Sequence, residues 1–546
     1  MRSTGGPLRR IFSAVKNQSE KKFKGDPQGA EADIKQCTGG ASGPIDRNLG
    51  KNLQIICDAF HNSDDLKIRV FEFGGADGKK LKAALVFVDG LADGKILNDA
   101  VVEPLLYGTA AANREWQFRD VNIDALKDTM LAVGEVNDAE TLEDAVYACL
   151  MGDCAMFVDG LTSAVILSAK GYEKRGIQPS DNEVSVRGPK ESFIENLRTN
   201  TSLLRRRIKN TNLCFESMTV GRQTKTPVTI TYMSGIADRE LIAEVKRRIS
   251  GIDIDGIIGS SYIEQLIEDE PTSLFPTVGF TERPDVLSAG LLEGRVGIIV
   301  DGSPHVLTVP HFFTESFQSA EDYFGSFMYA SLIRFLRYAA FFFSTLAPAI
   351  YVALSTFHQE LIPTALLLTM SAAKEGIPFS AFFEALMMML VFEILKEAGV
   401  RLPQPIGQTI SIVGALVMGE AAVSAGFVSA PLVIVIAFTA VSGFVVTSMT
   451  GAMLVLRIGF LFLGGIFGGY GIAIGVLILL VRLASVRSFG YRYLTPFVPF
   501  NLSDQKDNLI RLPLWVMRAR PLALAARNRV RENTPIPPDT PVGKKQ

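Results

Sequence analysis

The sequence is poor in the residues that build metal and redox sites. Its 546 residues include only four histidines and five cysteines. No two histidines stand four residues apart, and no cysteines have the Cys-x-x-Cys spacing that metal and redox sites use. We therefore predict neither a metal nor any other cofactor. We interpret the cysteines as reduced, structural residues: Cys37, Cys57, Cys149, Cys154 and Cys214.

Catalytic and targeting motifs are missing as well. The segment from Gly75 to Lys80 has the wrong spacing for a phosphate-binding loop, and the chain has neither Gly-x-Ser-x-Gly nor His-Glu-x-x-His. We therefore predict that the protein is not an enzyme. Net charge is -2, which excludes a broad, strongly basic nucleic-acid surface. Residues 1–30 lack the apolar core of a secretory signal, so we expect the N-terminal part to stay in the cytosol.

What the chain does have is a sharp change of composition along its length. Charged residues are dense up to residue 337 and again after residue 481, whereas the segment between is apolar. This contrast predicts an α+β cytosolic N-terminal region, with two α/β-type subdomains, followed by a polytopic α-helical membrane domain. The predicted segments are a disordered tail at 1–48, soluble subdomains at 49–187 and 188–325, a transmembrane domain at 326–485 and a basic cytosolic tail at 486–546.

The soluble half alternates short apolar runs with helical patterns. We predict strands at 66–73, 83–88 and 228–233, and helices at 96–106 and 238–249. Asp-Gly follows an apolar run three times, at Asp89, Asp159 and Asp301, and the last two stand between two apolar runs. Such a dipeptide favours a type I′ hairpin turn. The alternative is that the three carboxylates gather around a cation or a substrate.

A helix predicted over residues 191–209 has one apolar and one basic face. Phe193, Leu197, Leu204 and Ile208 fall on one side at 100° per residue. The basic side is a solvated surface, or it meets lipid headgroups or an acidic neighbouring subunit. Its members are Arg198, Arg205, Arg206 and Lys209.

Four regions have the apolarity of membrane spans: 338–357, 379–395, 407–428 joined to 431–450, and 453–481. The last is one tilted helix or a broken hairpin. Basic residues flank the first, second and last regions, so these flanks are cytosolic by the positive-inside rule. With both ends cytosolic the number of crossings is even, and we predict four or six.

Ionisable residues inside spans are costly and therefore mark function by default. The sequence offers Glu384, Glu393, Glu420 and Arg457. Glu393, close to Lys396, is expected at the interface. Glu384 either lines a water-filled path or pairs with Arg457. The Gly-x-x-x-Gly pairs that begin at Gly464, Gly465 and Gly471 predict close helix packing, within one subunit or between subunits.

Several separate motifs resemble the A subunit of the spore germinant receptors, the GerA family of endospore-forming bacteria. They cover nearly all of the chain after residue 50. The motif positions are Asn196, Arg198, Asn200, Arg205, Glu282, Arg283, Pro284, Asp285, Gly294, Arg295, Asp301, Gly302, Pro304, Asp322, Tyr323, Pro405, Gly407, Gln408, Gly414, Pro496, Pro499, Asp507 and Arg511.

The resemblance implies a subunit of a nutrient receptor in the inner membrane of the bacterial spore, which triggers germination. Its expected partners are a transporter-like B subunit that binds the nutrient, a lipoprotein C subunit, further copies of itself, plausibly five, and membrane lipids. It implies an oligomeric, ligand-gated cation channel. A secondary transporter, a membrane scaffold subunit and the related sporulation stage V membrane protein are the alternatives.

Overall fold

The computed structural model describes residues 41–74, 80–108, 135–171, 183, 187–401, 419–501, 504–524 and 528–531. The chain forms two compact units. The first unit is Met1–Gly176 with Asn196–Ser217 and Thr231–Ser234, and the second unit is Ile177–Glu195 with Met218–Ile230 and Gly235–Gln546. Most of the predicted N-terminal tail, and the chain beyond residue 531, lie outside the described residues.

The first unit is built on a five-stranded sheet of order β1-β2-β4-β5-β3. All of its neighbouring strands pair antiparallel. Two π-helical turns, Asn98–Val102 and Pro104–Gly108, continue the short α2, where a single helix over 96–106 was predicted. The elements are α1 (Leu49–Ala59), β1 (Leu66–Gly74), β2 (Lys80–Val88), α2 (Gly94–Leu97), β3 (Val136–Ala139), α3 (Leu142–Leu150), β4 (Cys154–Val158), β5 (Ala164–Leu167) and α4 (Leu197–Arg207).

Both faces of this sheet are buried. Successive side chains of a strand point to opposite faces. Ala84 and Val86 of β2 accordingly belong to one buried apolar cluster, which includes residues of α1 and α3. Ala83 and Leu85 belong to a second cluster on the other face, which includes residues of the π-helical turns. The antiparallel pairing confirms an α+β arrangement and corrects the α/β-type reading, because short hairpin connections join β1 to β2 and β4 to β5.

A second five-stranded sheet has the order β6-β7-β9-β10-β8 and is also antiparallel. The division between the units falls within β6 and β7. Helix α5 buries the stripe that the sequence predicts, Leu241, Ile242, Val245 and Ile249. The elements are β6 (Leu213–Val220), β7 (Thr226–Met233), α5 (Arg239–Ser250), α6 (Ser260–Ile267), β8 (Gly279–Thr281), α7 (Pro284–Glu293), β9 (Val296–Val300), β10 (Val306–Val309) and α8 (Glu321–Phe324).

The Asp-Gly pairs open hairpin loops, as predicted, but the loops are longer than expected. Residues 159–163 separate β4 from β5, and residues 301–305 separate β9 from β10. Gly160 and Gly302 have φ values of 92° and 82°. A type I′ turn has only two central residues, so each glycine instead supplies the left-handed position near the start of a five-residue loop.

We call the predicted transmembrane domain, residues 326–485, the membrane block, and its described residues are mostly helical. Within the described residues, two helical stretches are long and apolar enough to cross a membrane, Phe327–Thr356 and Thr447–Ser485. The helices are α9 (Phe327–Thr356), α10 (Thr364–Lys374), α11 (Ala381–Arg401), α12 (Ala430–Gly443) and α13 (Thr450–Ser485). A small hairpin of β11 (Arg487–Ser488) and β12 (Tyr491–Arg492) follows. Most of the predicted span at 407–428 lies outside the described residues.

Helix α13 folds back on itself at Gly468, which has φ 61° and ψ −144°. A Cβ atom on Gly475 would lie 2.8 Å from the ring of Phe460 and 2.7 Å from the side chain of Leu463. In one straight helix, residues 460 and 475 would be about 22 Å apart. Of the two predicted alternatives for this segment, the structure therefore has the broken hairpin, with arms of about 26 Å.

The α13 hairpin packs along α9. Tyr338, near the start of α9, belongs to one buried cluster with Met453 and Leu483, which lie near the two ends of α13. At the other end of α9, His358 Nε2 accepts a hydrogen bond from the backbone N–H of Gly469 at 3.1 Å. The tip of the hairpin thus lies beside the C-terminal end of α9, and both of its ends lie beside the beginning of α9.

Candidate functional site

Arg334 lies in the third turn of α9 and is fully buried. Its guanidinium donates to the carboxylate of Asp507 at 2.8 Å and lies 3.1 Å from the carboxylate of Asp322. It also donates to the backbone carbonyls of Asp507 and Asn508. A buried charge is tolerated when it is paired and hydrogen-bonded in this way. Helix α9 is thereby bound to the segment after β12 and to α8.

Three further residues complete this cluster, and two of them, Tyr323 and Arg511, are motif positions. Arg337 donates to both carboxylate oxygens of Asp322, at 2.9 and 2.8 Å. Tyr323 donates its hydroxyl hydrogen to Asp507 at 2.6 Å, and Arg511 donates to the carbonyl of Gly325 at 3.0 Å. We call the set the polar junction: Asp322, Tyr323, Arg334, Arg337, Asp507 and Arg511.

A second group of charges joins the turn between α7 and β9 to the segment after β10. Arg295 is hydrogen-bonded to Glu315, lies 3.6 Å from Glu293 and donates to the carbonyl of Pro310. Burial disfavours the charged form of Glu315, but Arg295 and His311 outweigh it and lower the pKa of that carboxyl. Burial raises the pKa of Glu293, which Arg295 and Arg531 only partly offset. His311 lies between the carboxylate of Glu315 and the hydroxyl of Ser316, at 3.2 Å from each. This arrangement orders the segment after β10.

The remaining acidic and basic motif positions of the second unit also pair with each other. Arg283 donates to both oxygens of Asp285, at 3.1 and 2.8 Å, and to the carbonyl of Pro189 at 3.1 Å. Glu282 lies 3.0 Å from His305. These pairs fix the start of α7, at which Pro284 occupies the first turn. Their geometry indicates a structural role.

In the first unit, the motif around α4 caps the helix and buries a charge. Asn196 caps α4 and accepts hydrogen bonds from the backbone N–H groups of Arg198 and Thr199, and Asn200 is fully buried. Arg205 is also fully buried and donates to Asp65 at 2.6 and 3.0 Å. The prediction that Arg205 belongs to an exposed basic face is therefore wrong.

The Asp-Gly carboxylates of the first unit have their own local partners. Asp159 accepts a hydrogen bond from the backbone N–H of Leu49 at 3.1 Å, and Asp89 lies 3.4 Å from Arg198. A Cβ atom on Gly90 would lie 3.2 Å from the backbone carbonyl of Arg198. These two carboxylates therefore help to hold α1 and α4 in place.

Most of the other motif positions lie in turns or loops. Gly294 ends α7 with φ 103°, and a Cβ there would lie 3.2 Å from the carbonyl of Leu524. Asp301, Gly302 and Pro304 form the loop between β9 and β10, and Asp301 donates its backbone N–H to Pro227. Pro496 and Pro499 follow β12, where the Pro496 carbonyl accepts from Gln505. Pro405, Gly407, Gln408 and Gly414 lie outside the described residues.

Glu384 is buried inside the membrane block, with 1% of its surface exposed. Its carboxylate accepts two hydrogen bonds from Ser429, from the backbone N–H and from the hydroxyl, both at 3.0 Å. The hydroxyl of Tyr351 lies 3.3 Å from that of Ser429. Glu384 thus belongs to a polar cluster formed by α9, α11 and the start of α12.

Arg457 has a different partner from the one the sequence suggested. Its guanidinium donates to the carbonyl of Ser344 at 2.8 Å and to the hydroxyl at 2.7 Å, so the structure does not show the suggested pair with Glu384. Glu393 lies 3.1 Å from Lys396 and is half-buried, as expected for an interfacial residue. Glu420 is exposed.

The glycines of α13 contact helices of the same chain. A Cβ on Gly464 would lie 2.9 Å from the carbonyl oxygen of Ala349, one on Gly465 2.4 Å from the ring of Phe382, and one on Gly468 2.9 Å from Phe357. These contacts support the packing of helices within one subunit.

The sequence did not reveal the partner residues. Nothing in the surrounding sequence marks Asp65, Ser344 or Ser429 as the partner of a charge. Each of them lies far along the chain from the charged residue that it contacts. One signal was available for Arg205: it follows Leu204 directly and lies one turn after Thr201, which is buried too. A residue in that position stands at the edge of the apolar face.

Known proteins resemble the chain over most of its length. Residues 54–523 match the family model described as Bacillus/Clostridium GerA spore germination protein. Spore germination protein KA of Bacillus subtilis is 42% identical over 490 residues, which cover 89% of this chain and 89% of that protein. Spore germination protein GerLA of Bacillus cereus is 37% identical over 486 residues, or 89% of this chain and 97% of that protein.

One solved structure is also similar. The crystal structure of the N-terminal domain of the A subunit of the Bacillus megaterium spore germinant receptor GerK3 is 34% identical in sequence. It covers 50% of this chain and 98% of its own, with a TM-score of 0.40. The family model and the relatives settle the classification: this chain belongs to the GerA family of spore germination proteins.

Proposed function

We propose that this protein is the A subunit of a germinant receptor in the inner membrane of the bacterial spore and that it works as a signalling and conducting subunit, not as an enzyme. The observation that carries the proposal is the match to germination proteins along both the soluble part and the membrane block. In this function a B subunit binds the nutrient, a lipoprotein C subunit completes the receptor, and the A subunit forms an oligomeric cation channel.

The packing of the membrane block supports six crossings with both ends in the cytosol. Helix α9 is the first crossing, and the two arms of the α13 hairpin are the fifth and the sixth. Phe382 of α11 lies near the hairpin tip, beside Gly465, whereas Phe392 lies beside Phe444. The residue Val446 then joins the cluster at the start of α9. Ser429, at the start of α12, contacts Glu384 near the start of α11. Helices α11 and α12 therefore run in the same direction, so the chain has to cross back between them.

The buried charges support conduction. A carboxylate in the hydrocarbon region costs about 2.5 to 3.5 kcal/mol on translocon scales, and at Glu384 the two hydrogen bonds from Ser429 offset part of that cost. Such residues are retained where they face an ion path. We propose that Glu384, with Ser429 and Tyr351, borders the cation path, and that Arg457 pins α13 to α9.

Spores test the proposal. Deleting the gene should abolish potassium release in response to one set of nutrients, and the intact gene should restore it. If the B subunit determines specificity, exchanging this chain for the A subunit of another receptor should leave nutrient preference unchanged. A preference that follows this chain would reassign nutrient binding to it. Spores that germinate normally on every nutrient without the gene would reject the receptor function.

Oligomeric state separates the proposal from the alternative functions. A channel of this kind needs several copies around a common axis, whereas a secondary transporter has its substrate pathway between the repeats of one chain and does not need further copies. The purified chain in detergent should therefore give a particle several times its monomer mass of 59.4 kDa. A monomer would favour a transporter, and rings that conduct no ions would favour a scaffold.

A further inference from the structure

The segment after β12 carries exposed apolar side chains next to the polar junction. Leu509 and Ile510 are 40% and 58% exposed, and Leu514 and Trp515 are 53% and 44% exposed. The same segment is fixed to the start of α9. Ser331 donates to the carbonyl of Arg511 at 3.1 Å, next to the Asp507 contacts of Arg334. We call residues 507–518 the interfacial segment.

The neighbouring turns of α9 are exposed and apolar as well. Met328, Leu332 and Phe335 are 71%, 58% and 63% exposed, and their spacing places them on one face of the helix. At 30 residues, α9 is about 45 Å long, whereas the hydrocarbon core is about 30 Å thick. Its first turns therefore extend into the headgroup layer. The interfacial segment is held beside these turns.

The charges nearby fit an anionic surface. Arg487 and Arg492 follow α13 and are exposed, and Arg518 closes the interfacial segment. Arg482, in the last turn of α13, pairs with Glu270 at 2.7 Å. Tryptophan with aliphatic side chains and arginine is the composition found where protein meets lipid headgroups. A water-facing segment would not carry four exposed large apolar side chains within seven residues.

We propose that the interfacial segment lies in the headgroup layer of the cytosolic leaflet, where Leu509, Ile510, Leu514 and Trp515 contact acyl chains and the nearby arginines bind anionic lipid phosphates. The bound leaflet then lies against the polar junction, which holds this segment to α9. This inference rests on the proposed membrane placement of α9 and α13.

The chain has two tryptophans, Trp116 and Trp515, so tryptophan fluorescence can test the inference directly. Trp116→Phe leaves Trp515 as the single emitter in the full-length protein. The protein is reconstituted into vesicles of phosphatidylglycerol and phosphatidylcholine, with or without bromine atoms near the glycerol end of the acyl chains. We expect brominated lipid to quench Trp515 emission strongly and acrylamide in the buffer to quench it weakly.

A matched control places the emitter on the soluble part. Tyr147 is 60% exposed on α3, so Tyr147→Trp in a Trp116→Phe, Trp515→Phe background should show the reverse: quenching by acrylamide and none by brominated lipid. Quenching of Trp515 should also weaken when phosphatidylcholine replaces all phosphatidylglycerol. Equal quenching in the two lipids would overturn the assignment of an anionic ligand.

The other outcomes reject the inference in distinguishable ways. Trp515 quenched by acrylamide alone would show a water-facing segment, and Trp515 quenched by neither agent would show a segment covered by a second copy of the chain. Flotation of the vesicles separates these results from a failure of the proposed function. A protein that does not float with the vesicles would reject the membrane placement itself.

Discussion

Arg334 and Asp507 are 173 positions apart in the chain, yet the guanidinium of Arg334 donates to the carboxylate of Asp507 at 2.8 Å. The arginine lies in α9, the first helix of the membrane block, and the aspartate lies in the segment after β12. Charge-assisted hydrogen bonds are shorter and stronger than neutral ones. Neutral side chains at these two positions would therefore hold the two segments together less strongly. The pair therefore joins the two ends of the membrane block.

Replacing Arg334 should release the segment after β12. Arg334→Ala leaves Asp507 without its cation and Asp322 with Arg337 alone. Breaking a fully buried pair costs about 3 to 5 kcal/mol, and the loss here should be smaller because Arg337 remains. We expect lower abundance in membranes and faster tryptic cleavage after Arg518. Arg487→Ala removes an exposed arginine of the same region and is the matched control. Equal cleavage rates in the two variants would contradict a structural role for the polar junction.

Replacing the two arginines near either end of α4 should lower the free energy of unfolding by very different amounts. Arg205 is fully buried against Asp65, whereas 45% of the Arg198 side chain is exposed beside Asp89. Arg205→Ala should lower the free energy of unfolding by about 3 to 5 kcal/mol, and Arg198→Ala by less than about 1 kcal/mol. Pulse proteolysis of the purified protein across a urea series measures both. Similar losses in the two variants would refute the assigned burial.

The close contact between α9 and α13 predicts a glycine requirement at one position. A methyl group on Gly464 would meet the Ala349 carbonyl oxygen at 2.9 Å, whereas nothing lies within 4 Å of the corresponding position on Gly459. Gly464→Ala should separate the helices and cost about 1 to 3 kcal/mol. Gly459→Ala is the control. Membrane abundance and thermal stability in detergent should fall for the first variant only, and a stable Gly464→Ala protein would argue against this packing.

Glu264 should make stability depend on pH. Burial, followed by repulsion from Glu268, raises the pKa of Glu264 from 4.5 to about 7. The folded state therefore binds the proton more tightly than the unfolded state, so the stabilisation is complete below pH 4.5 and is lost as the pH rises to about 7. Glu264→Gln removes this loss and should raise the unfolding temperature well above neutral pH.

The advantage of Glu264→Gln over the parent should shrink towards pH 4.5, the ordinary pKa of this side chain. Glu140→Gln, at an exposed position, should track the parent at every pH. Thermal unfolding of the purified protein in detergent at a series of pH values provides the measurement. A constant difference between Glu264→Gln and the parent across the series would show that the carboxyl is not perturbed in the folded state.

Local periodicity predicted the elements that depend on local sequence alone. The stripe of α5 and the strands of the Asp-Gly hairpins follow from spacing, since their apolar residues are neighbours along the chain. Burial of Arg205 does not follow from spacing, because it depends on Asp65, 140 residues earlier. The antiparallel order of the sheets likewise depends on tertiary pairing that alternating helices and strands do not specify.

Prediction from the sequence was limited in the same way for the membrane block. Glycines between Gly464 and Gly475 fit a tilted helix as well as a hairpin, and the choice depends on the left-handed backbone at Gly468 and on the arms packing against each other. Glu384 and Arg457 could be identified from their apolar surroundings. Their partners, Ser429 and Ser344, could not be identified from the sequence. Serine is a common residue, and only tertiary packing brings these two serines next to the two charges.

The most direct test of the account is a current measurement on the purified oligomer in planar bilayers. The account predicts cation currents, changed by Glu384→Gln because this carboxylate borders the path, and unchanged by Glu420→Gln, which alters an exposed residue. Both variants should assemble to the same particle mass as the parent. Assembled oligomers that pass no cation current, with the B and C subunits and nutrient present, would contradict the central claim.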